Sequence, residues 1–269
     1  NSIYNVEIAA VVKYPNGSFT SGTSINYGLF GYLDQYATLD NVFIKNAKIV
    51  LNEHTENVRD IYAGILVGYA DGATINSCSV IGSIKVVRNI DSANIYVGGV
   101  AGYIAGNTDI VNMPGNYATG VVSTGNNAYV DIELTGSDDI INHLRAEKTV
   151  AGGLVGYSTS SEISKQQVVS NITTTIRASI GGVVGIVGGA NKTNIIAVDV
   201  SPKIVANLAS EATPDQIGLY VGSVVGLVNT ELEINNAIVN YVDIGNDANY
   251  AYANMYPADR IIFIWYDAK

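Results

Sequence analysis

Six variants of one short phrase, Gly-Leu-Val-Gly-Tyr in its clearest form, recur along the chain at Gly28 to Tyr32, Gly64 to Tyr69, Gly98 to Tyr103, Gly152 to Tyr157, Gly181 to Ile186 and Gly222 to Leu227. Aligned on the last glycine of each copy (Gly31, Gly68, Gly102, Gly156, Gly185 and Gly226), the intervals are 37, 34, 54, 29 and 41 residues. Periods of roughly 20 to 50 residues mark solenoids, propellers and arrays, in which one unit cannot bury its own apolar face and must stack on a copy. The chain is therefore periodic before it is anything else.

What lies between the glycines narrows the choice. The two positions before the anchor glycine are apolar in every copy, from Leu29-Phe30 and Leu66-Val67 to Val224-Val225, and the position after it holds Tyr32, Tyr69, Tyr103, Tyr157, Ile186 and Leu227. A polar, turn-prone stretch follows, and then a second pattern such as Ile75 to Val80 or Ile234 to Val239, which Ile163 to Val168 and Thr193 to Val198 follow more loosely. Short β-branched runs bounded by Gly, Asn, Asp and Ser read as strands, and no segment keeps helical spacing between a start and a stop. Stacking such units at about 4.8 Å builds parallel sheets with continuous internal ladders. The fold class is all-β, a parallel β-helix (β-solenoid) of six to seven turns with three short strands per turn. The glycines suit its narrow corners, and stacked asparagines suit its ladders. A propeller is disfavoured, because its blades need four antiparallel strands and the one tryptophan, Trp265, lies outside the repeat.

The 269 residues read as one solenoid domain. Residues 1–24 form an N-terminal cap or first strands, residues 25–245 carry the six repeats with a polar insertion near 135–148, and residues 246–269 form a C-terminal cap or connecting strand. Parity along a strand lets only one column of each apolar pair, Leu66 or Val67 and their equivalents, point inward. The stretches Ile3 to Val12 and Arg260 to Tyr266 are expected to cover terminal rungs or to continue into neighbouring subunits of a filament. The chain begins at Asn1 rather than Met, which reads as a processed product or an excised piece.

The phrase resembles the GLUG motif, named for its Gly-Leu-any-Gly core. Gly153-Leu154-Val155-Gly156-Tyr157, followed by Ile163, carries the resemblance best, and Gly99 to Tyr103 leads into Tyr117-Ala118-Thr119-Gly120 in the family's manner. It covers roughly residues 20–245 and implies a repetitive secreted or cell-surface protein, since such repeats occur in bacterial adhesins and surface peptidases as stalk or display modules. No catalytic residue belongs to the motif.

Composition fits that expectation. Apolar residues make up 48% of the chain and charged ones only 14%, too apolar a balance for disorder. A net charge of -10 with 14 scattered Lys and Arg argues against nucleic acid, and no apolar run is long enough to span a bilayer, so no membrane insertion is expected of this segment. The single cysteine, Cys78, excludes an internal disulfide and reads as a small buried hydrophobe.

Chemistry is sparse. His54 and His143 lack further ligands at metal spacing, and the glycine pairs Gly181-Gly182 and Gly188-Gly189 read as repeat corners rather than a nucleotide fingerprint. Asn107-Thr108-Asp109, Asp138-Asp139 and His143 resemble elements of polygalacturonase-like enzymes, but the other elements of that family are missing, so these read as loop residues. An oxygen-rich loop of Asp243, Asn246 and Asp247 reads as turn chemistry rather than a calcium site. Asn16, Asn171 and Asn191 satisfy the N-glycosylation pattern. No catalytic residue, cofactor or metal is expected. The chain reads as a non-enzymatic structural or adhesive module, extracellular or on the cell surface, whose partners are cell-surface glycans or proteins, or further copies joined through the solenoid ends. The alternative is a glycan-binding or polysaccharide-processing β-helix, for which Tyr62, Tyr96 and Tyr220 are the candidate stacking residues: they share one column, six residues before the anchor glycine.

Overall fold

A computed structural model describes residues 2–12, 23–53, 58–106, 109–111, 127–137, 145–207, 219–240 and 243–246. Within them every strand pairs in parallel with its equivalent one turn away, in four sheets that wind as a parallel β-helix. Each turn contains four strands, not the three expected. In the second full turn these are Val58–Gly64, Val67–Asp71, Thr74–Asn76 and Ser79–Arg88, which belong to the second, third, fourth and long sheets respectively. The fourth-sheet strands are only three or four residues long, so they hide within what reads as turn.

The core follows from alternation on the long sheet. In Ser79–Arg88 the residues Val80, Ile84 and Val86 are buried and lie against Ile44, Ile49 and Leu51 of Phe43–Glu53 on one side and Ala128, Ile132 and Leu134 of Asn127–Gly136 on the other. The outer face carries the polar pairs, among them Lys85 with Glu133 at 2.7 Å and Asn171 with Asp131 at 2.8 Å. The opening stretch forms two strands, Ser2–Tyr4 and Glu7–Val12, that pair with Phe43–Glu53 at the first edge of this sheet.

Strand parity does not govern the apolar pairs next to the anchor glycine. Leu66 and Val67, Val100 and Ala101, Leu154 and Val155, and Val183 and Val184 are all buried. The chain turns there between the second and third sheets, and one carbonyl serves two amides of the turn before it. Leu154 O accepts from Val100 N and Ala101 N at 2.8 and 3.1 Å, Val183 O from Leu154 N and Val155 N at 3.0 Å each, and Val224 O from Val183 N and Val184 N at 2.9 Å each. Both side chains therefore leave a bend, and neither is forced outward.

The repeat glycines are required for closeness rather than for left-handed backbone. A Cβ on Gly98 would lie 2.0 Å from Ala101 O, one on Gly152 1.8 Å from Val155 O and one on Gly181 1.8 Å from Val184 O. These residues form one glycine ladder at the end of the second sheet, and Gly68, Gly102, Gly156 and Gly185 form a second ladder in the third, aimed back at second-sheet backbone. Positive φ lies elsewhere, at Asn5 and Asn46 beside the long sheet and at two other corners. One holds Tyr36, Gly72, Gly106, Ser160 and Gly189, and the other holds Asn41, Ser77, Lys165, Ala197 and Asn236, each, among the described residues, the third of the second pattern in its turn.

Two registers differ from expectation. The second pattern falls on Ile195 to Val200, two residues later than Thr193 to Val198, because Ile163 pairs with Ile195 and Ile195 with Ile234. The strand Asn127–Gly136 runs through Thr135, and a short 3-10 turn, Ala146–Lys148, closes the excursion before Thr149–Gly152. The 54-residue interval also holds a second excursion, between Val111 and Asn127, where other turns pass from the fourth to the long sheet in two residues. Tyr117 to Gly120 and Arg260 to Tyr266 lie outside the described residues.

Candidate functional site

The sharp bend between the second and third sheets brings their outward side chains together, and tyrosines fill the notch. Tyr32, Tyr69, Tyr103 and Tyr157, each next to an anchor glycine, stack as one ladder with ring centroids 5.3, 5.1 and 4.9 Å apart and interplanar angles of 15°, 14° and 4°. Tyr62 and Tyr96 stack on each other at 5.4 Å from the second sheet. The two columns interlock, with Tyr62 against Tyr69 and Tyr103, and Tyr96 against Tyr103 and Tyr157, at 5.1 to 5.8 Å. Six rings from four turns thus form one cluster with the offset and edge-to-face geometries that the ring quadrupole favours.

Of the three tyrosines expected to act together, the structure joins two. Tyr62 pairs with Tyr96, while Tyr220 stands in the same column beyond Val150 and Ser179. Those two intervening residues face outward yet are fully buried, and the 3-10 turn Ala146–Lys148 packs against their strands, with Ser179 Oγ donating to Ala146 O at 3.1 Å. The Tyr32 column was visible in the sequence as an apolar position after the glycine, but its meeting with the Tyr62 column depends on the bend.

Burial raises the phenol pKa values throughout. Tyr62 and Tyr96 are pushed well above the ordinary phenol range by desolvation and then by the Asp60 carboxylate, and Tyr103 is pushed up to about 12 by desolvation and its neighbours Tyr157 and Tyr69. The phenols are neutral at physiological pH. Asp60 itself is held by Asn94 Nδ2 at 2.8 Å, Ser24 Oγ at 3.4 Å and Arg59 Nε at 3.2 Å. A sugar platform needs an open ring face, and along this ladder the faces are occupied by other rings. Tyr32, at the end of the ladder and 49% exposed, has a ring neighbour on one side only among the described residues.

A second polar constellation escaped the sequence reading. Arg88 and Glu53, 0% and 1% exposed at their side chains, close equivalent ends of adjacent long-sheet strands. Arg88 Nε donates to Glu53 Oε2 at 2.9 Å, Nη1 to Lys148 O and Thr149 Oγ1 at 2.8 and 2.7 Å, and Nη2 to Ala93 O at 2.6 Å. Glu53 Oε1 accepts from Ala93 N at 3.0 Å. Burial raises the Glu53 pKa despite the opposing Arg88 charge. With its hydrogen-bonding capacity committed and no access to solvent, the pair is a clamp across the mouth of the excursion rather than an acid poised for catalysis.

The remaining candidates are dispersed. Asp109 begins the fourth-sheet strand Asp109–Val111, whereas Asn107, Thr108, Asp138, Asp139, His143 and His54 lie outside the described residues. Asp243 and Asn246 bound a strand paired with Lys203–Ala206, not a loop, and Asp247 lies outside the described residues. Cys78 is fully buried with its thiol pushed up to about 11 by desolvation, as a core residue should be. Asn171 commits its amide to Asp131, Asn191 is exposed in a bend, and Asn16 lies outside the described residues. Among the described residues no group of three or more His, Cys, Asp or Glu side chains could hold a metal ion, and no helix is long and apolar enough to cross a membrane. Comparison with protein-family models, curated proteins and solved structures returned no match to this chain.

Proposed function

We propose that this chain is a non-enzymatic structural or adhesive module of a secreted or cell-surface protein, a short rigid rod whose role is to space or display. The observation that supports this most directly is where the repeated residues spend their interactions. The glycine ladders, the shared carbonyls and the tyrosine stack all bind one turn to the next, so the repeat is specialised for stacking rather than for a ligand. The GLUG-like phrase Gly153 to Tyr157 supports the same reading, because each of its residues has an architectural part in the bend.

Incubation with a panel of acidic and neutral polysaccharides, scored for both turnover and retention, tests this. Neither is expected. Turnover that disappears in the combined variant Asp109→Asn, Asp138→Asn, Asp139→Asn, His143→Gln would replace the structural reading with polysaccharide processing. Retention abolished by Tyr32→Ala would favour glycan display at the open end of the ladder.

A further inference from the structure

We infer that the free edge of the strand Phe30–Leu33 docks an extended basic segment of a partner protein, with an arginine or lysine of that segment laid on the open face of Tyr32; this names a partner for the adhesive reading above and rests on it. A column sealed along the solenoid comes open at this rung. Val67, Ala101, Val155, Val184 and Val225 are all buried, whereas Phe30, which begins their column, is 36% exposed. Tyr32 and Tyr36 beside it are 49% and 91% exposed. Among the described residues, Phe30–Leu33 has a strand neighbour on one side only, so its outer backbone groups are a template for one more strand. Ser2–Tyr4 and Glu7–Val12 pair with the long sheet and do not fill this edge. Leu29 O belongs to the same opening. Its equivalents Val100 O, Leu154 O, Val183 O and Val224 O each receive two amides of the turn before, and Leu29 O receives none among the described residues.

An open edge alone names no occupant, but the charge around it does. Residues 23–42, the first rung of the second, third and fourth sheets, hold Asp34 and Asp40 and no lysine or arginine. Asp34 and Asp71 stand two residues past Tyr32 and Tyr69. The Tyr32 pKa is raised by desolvation and then by these two carboxylates, as negative charge gathered beside the ring requires. Asp34 Oδ1 accepts from Gln35 N at 2.8 Å and from the Tyr32 hydroxyl at 3.5 Å, and neither Asp34 nor Asp71 has an ion pair among the described residues. Across the notch the need is already met, since Asp60 beside Tyr62 and Tyr96 has Arg59 Nε at 3.2 Å. An aromatic face next to unpaired carboxylates attracts a cation, and arginine suits it best, because its guanidinium stacks on a ring while its fork pairs with a carboxylate. Another terminal tyrosine is filled in this way within the molecule: Lys45 Nζ lies 5.6 Å from the ring centroid of Tyr4, on the first rung of the long sheet. Register then sets the pattern of the partner. A segment running parallel to Phe30–Leu33 places an apolar side chain against Phe30, a basic one on Tyr32 two residues later and another basic one at Asp34 two residues after that. The last rung offers no equal, because Val224 and Val225 are buried and Leu227 and Asn229 stand where Tyr32 and Asp34 do.

Fluorescence anisotropy of the full chain with a labelled synthetic peptide tests this. The peptide carries valine, arginine and arginine at alternate positions separated by threonines, and its control has citrulline, an uncharged isostere, in place of both arginines. Saturable binding is expected for the arginine peptide, about tenfold tighter than for the citrulline peptide, with the amides of Gly31 to Leu33 gaining hydrogen-exchange protection. Tyr32→Ala should weaken it about tenfold and Asp34→Asn about threefold. Tyr32→Phe, which keeps the ring, and Tyr129→Ala, which removes an exposed ring from the long sheet, should leave it within about twofold, with circular dichroism melts confirming that every variant is folded. A full chain that binds neither peptide would overturn the inference. So would binding that survives Tyr32→Ala or is equal for both peptides, since the net charge of -10 would then hold the arginine peptide without a site, or the backbone edge would hold either. Retention of a neutral polysaccharide that Tyr32→Ala abolishes would give the ring face to a glycan and overturn it as well. Absence of peptide binding without polysaccharide turnover removes this inference alone, whereas turnover removes the reading on which it stands.

Discussion

Replacing Gly102 by alanine separates the close-approach account of the repeat from a conformational one, because Gly31 holds the same place in the motif under different packing. A Cβ on Gly102 would stand 2.3 Å from Ala63 N and 2.8 Å from both Gly68 O and Tyr62 C. All three are backbone atoms, so no side chain can swing aside. Reaching an ordinary separation of about 3.5 Å requires the bend to open by more than 1 Å, roughly enough to break hydrogen bonds of normal length. The amides of Val100 and Ala101, both bound to Leu154 O, are the bonds at risk. Two such bonds at about 1 kcal/mol each, added to about 1 to 3 kcal/mol of overpacking, predict a loss of about 3 to 5 kcal/mol. On the first turn a Cβ on Gly31 meets nothing nearer than Asn26 O at 3.5 Å. Gly31→Ala should therefore be neutral or should stabilise by about 0.4 to 1 kcal/mol through the unfolded chain. Urea melts of the two variants, with hydrogen exchange of the Ala101–Ala105 amides as a local readout, decide the matter. Equal shifts in midpoint, or a Gly102→Ala loss below about 0.5 kcal/mol, which is the ordinary size of a surface substitution, would refute the reasoning.

Ala197 is exposed at φ 54°, so Ala197→Gly should raise stability by about 0.5 to 1 kcal/mol, the left-handed cost less the entropy of glycine, while Ile196→Gly next to it lowers the melting temperature. Arg88→Ala leaves Glu53 buried and uncompensated at a cost of about 3 to 5 kcal/mol, and the combined Arg88→Met, Glu53→Leu variant should recover most of it in a double-mutant cycle. The raised phenol pKa values of Tyr62, Tyr96 and Tyr103 mean that the folded chain holds protons that the unfolded chain has released. The stability they provide is complete below the free phenol pKa of about 10 and is lost as pH climbs through about 12. Absorbance titration beside thermal melts should show this alkaline loss, and Phe at all three positions should flatten it.

The period, the parallel stacking and the aliphatic column of Ile75 and Ile163 were legible because identical environments select similar residues at equivalent places. The angle between sheets was not, since nothing in a linear pattern states how tightly Gly98 and Gly102 fold the backbone on itself. Two consequences of that angle were therefore misjudged or missed: the burial of both apolar columns and the meeting of two tyrosine columns. The slip from Thr193 to Ile195 has a different cause. A shift of two residues preserves strand parity, and Ile195-Ile196-Ala197-Val198 offers apolar residues to either frame. The Arg88–Glu53 clamp did leave a trace, as opposite charges at the same column of consecutive repeats, at a place where the alternation of the strand calls for an inward side chain.

The clamp has a mechanical corollary. In a β-helix, inter-strand hydrogen bonds run along the axis, so tension applied through the chain ends peels turns away from either end in sequence. A released turn of 29 to 54 residues lengthens the chain by about 100 to 190 Å at about 3.5 Å per residue. Glu53 closes the long strand of the first turn and Arg88 that of the second, Ala93 precedes the second-sheet strand of the third, and Lys148 and Thr149 lie where that of the fourth begins. One side chain thus rivets four consecutive turns, and under load they should part together in a single long step where unriveted turns give way singly. The longest interval in the sequence, which looks like the weakest point of the rod, sits behind this fastening.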